Sequence, residues 1–398
     1  MKKSGKLRLL AFVVFALAAI VAGCGGDDDD DSAAPTETPA EASAPAEEPA
    51  PASAVCEGSI AFMGPITGPV AVLGGEQLAW AQFAIDVHNE EFGSNFVLVA
   101  GDTMLDPAEG AVVAEQLSAD TAIIGVVGPA GSQVVEASAA ILDGKIAFIS
   151  GSATNTALTQ DTTTFFRTVG VDDVQGPTTA QFMIDDLGAV KVVIIDDQES
   201  YSTGLADSTA AVLDEAGIEV VRKSVSQDAT DFTALVSDVG DDVDVVYLPW
   251  QVATSGELFA AQMTEQGKTA VVFGSVGLFT DEFTADGAYV AAFMPDITEI
   301  EDPSTQEFAE RYVAEARGEF GTFGPPSFTA ADVLVRAAQA VCARGEMPTR
   351  ENVIEGVRAT NIAESILGQP LTFDATGDVV GGKFFIFQNM DGEKQLIQ

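Results

Sequence analysis

Ile60-Ala61-Phe62-Met63-Gly64-Pro65-Ile66-Thr67-Gly68-Pro69 holds the pattern that decides the fold: a short apolar run, a Gly/Pro turn, then a helical stretch from about Gly75 to Glu91. Further apolar runs of strand length stand at Phe96–Ala100, Ile123–Val127 and Ile146–Ile149. Helical windows separate them at Pro107–Ala119, where Pro107 follows Asp106 as a helix start requires, and at Ser132–Leu142. The rhythm repeats with Val192–Ile195, Ile218–Val221, Val243–Leu248 and Ala270–Phe273, interleaved with helical windows near 202–216, 231–239 and 254–266. Strands this uniformly apolar, alternating with helices, specify parallel sheets covered on both faces, an α/β fold. Beyond Pro303 come helices at Thr305–Arg317, Ser327–Ala343 and Thr349–Ala359, then short strands at Leu371–Phe373 and Phe384–Phe387. A late return to both element types fits a chain that crosses back between two lobes.

The N-terminus reads as an export signal. Lys2, Lys3, Lys6 and Arg8 precede an apolar run, Leu9–Val21, that is shorter than the roughly 20 residues a membrane-spanning helix needs. The run ends in Val21-Ala22-Gly23-Cys24, which resembles a bacterial lipobox and implies lipidation of Cys24. Residues 1–23 are thus expected to be a signal peptide and 24–55 a lipid-anchored, disordered linker. That linker is rich in Asp, Pro, Ala and Glu and lacks aromatic residues, so it has little to bury against the entropy of ordering it.

The chain carries a formal net charge of −43; setting aside the four bases of the leader and the nine acids of the linker leaves −38 on residues 56–398. Nucleic acid is excluded as a partner, because phosphate binding needs a basic footprint. The acidity suits solubility through self-repulsion and, more sharply, a salty habitat that screens it. Cys56 and Cys342, left over once Cys24 is lipidated, are either a disulfide in an oxidising compartment or two buried thiols. His88 is the single histidine and reads as structural. No metal-ligand spacing appears, and no cofactor or catalytic residue is expected. Gly267-Lys268-Thr269 copies the end of a P-loop, but Gln262 stands where the motif needs glycine, and the segment runs helix to strand. The acid pairs Asp172-Asp173 and Asp196-Asp197 read as solvated edges.

Polar loops follow four of the apolar strands: Gly128–Ser132, Ser150–Thr154, Gln198–Tyr201 and Pro249–Gln251. Ligands of open α/β sheets bind outside the carboxyl ends of strands, and hydroxyls at helix starts suit an anion. Taken singly, Ser132 and Thr154 read more readily as helix caps; four such loops from two halves of one chain point to a shared cleft.

These motifs resemble the leucine/isoleucine/valine-binding proteins. The resemblance lies in Gly64–Ala71 followed by Gly74, Ala84, Asp86 and Asn89, in Asp102…Asp106-Pro107, and in Phe166-Arg167-Thr168…Asp173-Val174-Gln175-Gly176-Pro177. It continues in Tyr201…Gly204-Leu205-Ala206 and in Gly368…Asp374…Gly377-Asp378. It implies a type I periplasmic-binding fold, two Rossmann-like lobes joined by three crossovers: 56–172 plus 299–383 as lobe I, 173–298 plus 384–398 as lobe II. It also implies a monomeric, extracytoplasmic solute-binding lipoprotein that delivers amino acids or related carboxylates to the permease of an ABC importer. The alternatives are a module for amides or for aromatic or keto acids, or a sensory receptor domain. Carried over, Ser132 and Thr154 hold the ligand carboxylate with backbone near Ser152 assisting, and Tyr201 closes over the ligand. Leu73 and Gln251, beside Trp250, stand where the family has tyrosines; Val276 stands where it has the glutamate for an ammonium group.

Overall fold

The computed structural model describes residues 55–294, 297, 303–315 and 321–398. The leader, Cys24 and almost all of the linker lie outside the described residues. The first half runs β1 (Glu57–Gly64), α1 (Ala71–Phe92), β2 (Asn95–Asp102), α2 (Pro107–Ala119), β3 (Ile123–Val127), α3 (Ser132–Leu142), β4 (Ala147–Ser150) and β5 (Phe165–Arg167). Its sheet is parallel throughout, in the order β2-β1-β3-β4-β5. The second half runs α4 (Asp172–Asp185), β6 (Lys191–Asp196), α5 (Ser200–Glu215), β7 (Glu219–Ser224), α6 (Thr233–Ser237), β8 (Val245–Leu248), α7 (Ala253–Glu265), β9 (Val271–Gly274) and β10 (Tyr289–Ala292). There β7-β6-β8-β9-β10 repeats the strand order of the first sheet. Then follow α8 (Pro303–Ala314), α9 (Gly324–Cys342), α10 (Arg350–Arg358), a two-stranded ribbon of β11 (Asn361–Ile362) and β12 (Leu371–Thr372), and finally β13 (Phe385–Met390) and β14 (Glu393–Leu396). The last two strands extend the second sheet in antiparallel sense beyond β10.

Burial explains the apolar runs. Every residue of β3 and β4 is buried, because helices cover both faces of the first sheet. One face packs on α1, α8 and α9, where the Trp80 ring stacks on Tyr312 at 3.9 Å between centroids and meets Phe83 and Phe328 edge-on. In the second lobe, Trp250 packs between Phe232 and Phe259. Asp106 caps α2 by accepting from the Ala108 and Glu109 N–H groups, with Pro107 at the first helical position, as the sequence predicts. A disulfide joins Cys56, at the foot of β1, to Cys342, the last residue of α9. His88 is buried against Phe92 and Phe96, and desolvation pushes its pKa down to about 4.

The chain passes between the two sheets three times: between β5 and α4, between β10 and α8, and just before β13. At the first and third passages, Gly170 and Gly382 touch backbone to backbone; a Cβ on Gly382 would stand 2.6 Å from the Gly170 Cα. Gly382→Ala should therefore push the two crossovers apart and lower stability by about 1–3 kcal/mol, the range for overpacking a tight contact. Urea unfolding reads this as a lower midpoint. An unchanged midpoint would show that the crossovers do not need the contact.

Candidate functional site

In both sheets the strand order reverses between the first and third strands, and this switch point is where ligands of doubly wound sheets bind. The carboxyl ends at the two reversals, β1/β3 and β6/β8, meet across a cleft. On the lobe I side, Asp102 orders the turn after β1: its carboxylate accepts from the N–H groups of Ile66, Thr67 and Met104 and from the Thr67 hydroxyl. Those bonds hold its pKa below the usual carboxylate range despite some burial. Met104 and Leu105 then adopt positive φ (52° and 62°), and Leu105 lines the cleft.

The loop after β4 is fixed by Arg167. Its buried guanidinium donates to the backbone carbonyls of Ala153 (3.1 Å) and Asn155 (2.9 Å), which flank Thr154. It also donates to Thr159 Oγ1 and pairs with Asp378 at 2.5 Å. Asp374 in turn accepts from the N–H groups of Thr376, Gly377 and Asp378, shaping the turn that presents Asp378. Two motifs 211 residues apart thus converge on one loop.

The lobes touch directly. Gln133 Nε2 donates to Gln251 Oε1 at 2.7 Å, and Asn155 Nδ2 donates to the Ser200 carbonyl at 2.7 Å. Between these contacts lies a cavity of about 20 Å³. Val70, Leu73, Leu105, Val276 and Phe323 form its apolar wall; Ser152, Tyr201 and Gln251 are its polar residues, and Gly131 and Gly277 bring backbone to it. No charged residue is among those lining it. A space of this size holds about one water, so an amino acid needs the lobes to part before it enters.

Ser152, Tyr201, Gln251 and Val276 come together here. Ser132 and Thr154 are buried just behind: the Ser132 hydroxyl accepts the Asn155 N–H (3.2 Å), and Thr154 lies beside the Asp172 carboxyl. Neither caps a helix, since the residue before α3 is Gly131 and Asn155 caps the short turn that follows Thr154. The Tyr201 hydroxyl sits near Ser275 and the Gly277 N–H, and burial pushes its pKa well above the usual phenol value. Trp250 departs from the sequence reading. It is not among the lining residues; its ring belongs to the second-lobe core and its N–H donates to the Ile195 carbonyl at 2.7 Å. The acid pairs are corrected too, because Asp172, Asp196 and Asp197 are buried. Arg222 and Ser224 compensate Asp196, whereas desolvation raises Asp172 to about 7. Glu199 is raised by partial burial and by the charges of Asp197, Asp228 and Asp106, and it does not line the cavity. Gln133, Leu105, Val70 and Phe323 were not foreseen as part of the site.

Residues 58–394 match the periplasmic binding protein family. The chain belongs to that family. Among its relatives, it is 31% identical to Leu/Ile/Val-binding protein homolog 1 of Brucella suis over 79% of this chain and 85% of the relative. It is 29% identical to the leucine-, isoleucine-, valine-, threonine- and alanine-binding protein of Pseudomonas aeruginosa over 83% of this chain and 89% of the relative. The fold is that of the leucine-binding protein of Thermotoga maritima, with a TM-score of 0.77 at 22% identity, covering 85% of this chain and 97% of that structure. Periplasmic binding proteins are extracytoplasmic substrate-binding proteins of transporters and not enzymes. Among the described residues, no helix is long and apolar enough to cross a membrane.

Asp172 gives this member of the family a pH signature. A carboxyl whose folded pKa lies above its unfolded value favours the folded state below the unfolded value of 3.8, and that advantage is lost as pH rises to about 7. Asp172→Asn, which cannot ionise, should flatten the fall in stability between about pH 4 and pH 7 and be the more stable form at pH 8. Parallel urea-stability profiles for variant and wild type would contradict a buried, neutral Asp172.

Proposed function

We propose that this chain is a lipid-anchored solute-binding protein that captures small apolar carboxylates, branched-chain amino acids among them, and presents them to the permease of an ABC importer. The observation that carries the reading is the cleft wall: apolar on most sides, uncharged, with hydroxyl and amide groups clustered around helix starts. Such a wall selects an apolar side chain, while free N–H groups and the positive end of the α3 dipole favour a carboxylate. The names of the Brucella and Pseudomonas relatives point the same way. Ligand that touches both lobes stabilises the closed arrangement and shifts the population toward it.

In this reading Ser132, Ser152 and Thr154 serve the carboxylate and Tyr201 closes the cleft, while Gln251, Leu73 and Val276 shape the side-chain pocket. Thr154→Val keeps the shape and removes the hydroxyl. It should weaken binding by roughly tenfold to a hundredfold, the equivalent of ~1.5–3 kcal/mol for a hydrogen bond to a charged group. Val276 and Leu73 offer nothing to balance an ammonium, and burying an uncompensated cation is expensive. 4-Methylpentanoate should therefore bind at least as tightly as leucine. Calorimetry on that pair checks both statements; a strong preference for leucine would overturn the reading of Val276. The anchor is tested separately. Cys24→Ser should move the protein from the detergent phase to the aqueous phase, and equal partitioning of variant and wild type would remove the lipid.

A further inference from the structure

A larger cavity, about 210 Å³, lies at the hinge, where the three crossovers run side by side. Residues 168–170, 293–294, and 382, 383 and 385 contribute to its lining, so every passage between the lobes forms part of its wall. Phe293, Met294, Pro326, Leu367 and Phe385 give it an apolar interior, and Lys383 lies at its edge, exposed to solvent. Lys383 has no hydrogen bond or ion pair to any described residue. Every other described lysine and arginine has one. In a body with so few bases and so many acids, a lysine left without a carboxylate is itself informative.

We propose that the hinge cavity is a second binding site, for a small amphipathic carboxylate whose tail fills the apolar interior and whose head pairs with Lys383. The crossovers absorb the backbone rotation when the lobes open and close, so the cavity has a different shape at each lobe angle. A ligand gripping all three passages binds those angles unequally. By linkage it changes the affinity of the cleft ligand, and the cleft ligand changes its own affinity by the same factor. The existence of the site stands on the hinge geometry alone; its effect on the cleft rests on the reading given under Proposed function.

The test uses full-length protein carrying labelled methionine, leucine and valine methyl groups, titrated with hexanoate and observed by NMR. The Met294 and Leu367 methyls report the hinge, and those of Leu73 and Val276 report the cleft. The proposal predicts saturable shifts at Met294 and Leu367, weakened roughly five- to tenfold by Lys383→Glu, which trades attraction for repulsion. In Thr154→Val, where cleft binding is weakened, the hinge shifts should stay saturable and stay sensitive to Lys383→Glu. Hexanoate also competes with leucine in the cleft, so the coupling is read as the difference in the apparent Kd of leucine between wild type and Lys383→Glu at saturating hexanoate, on the order of fivefold; equal values in the two would overturn the coupling. Movement at Leu73 and Val276 only, or hinge shifts indifferent to Lys383→Glu, would overturn the site. Silence of Leu73 and Val276 toward both leucine and 4-methylpentanoate, with the hinge still responding, would count against the cleft reading alone.

Discussion

The buried Arg167 guanidinium is the constraint on which the site depends. It sits where a cation is costly, and the surroundings compensate it with the Asp378 carboxylate, two backbone carbonyls and the Thr159 hydroxyl. Because both carbonyls belong to the residues flanking Thr154, the position of the Thr154 hydroxyl is set by electrostatics and not by the loop's own preferences. Asp378 comes from the turn leading into the third crossover, so the same pair ties the cleft loop to the hinge. Removing one partner from such a pair generally costs about 3–5 kcal/mol, because the other charge is left buried. A loop held this firmly can present a hydroxyl to a ligand with little further loss of entropy.

The two lobes divide the labour. Lobe I supplies the ordered polar loops, at β1, β3 and β4, and lobe II closes over them with Tyr201, Gln251 and the turn containing Val276 and Gly277. The Gln133–Gln251 hydrogen bond joins the lobes, and Gln251 also lies 3.5 Å from Gln227, itself bonded to Asp197. This neutral amide chain sets a modest floor on the stability of the closed arrangement. Each such bond contributes on the order of 1 kcal/mol net, which leaves the balance between open and closed within reach of a small ligand. An all-neutral latch also suits so acidic a body, where a carboxylate at the same place would repel its neighbours.

The fold was legible because most strands are buried on both faces and read as plain apolar runs, Ile123–Val127 above all. The helix α4 was not, because Gly176-Pro177 interrupts its pattern; glycine is required there, since a Cβ would strike Ser208. The edge strand β14 was missed for lack of a distinct run, and β10, which lies inside the sheet between β9 and β13, was passed over although Ala288–Met294 is apolar throughout. At the site, the loops were visible but the direction of side chains was not. Trp250 is adjacent to Gln251 in sequence yet enters the core between Phe232 and Phe259, whereas Gln251 enters the cleft. Asp172 looked like a solvated edge because sequence does not show that α4 begins beneath the Thr154 loop. Phe323 follows no strand at all, so nothing in its neighbourhood marked it as cleft lining.

The central claim is that a small apolar carboxylate enters this cleft and draws the lobes together. Spin labels at the exposed positions Val112, on lobe I, and Leu258, on lobe II, allow the interlobe distance distribution to be measured by pulsed electron resonance. The account predicts that saturating 4-methylpentanoate narrows the distribution and moves it to one closed distance, and that Thr154→Val shifts this response to higher concentration. A distribution that stays the same with 4-methylpentanoate and with leucine would contradict it.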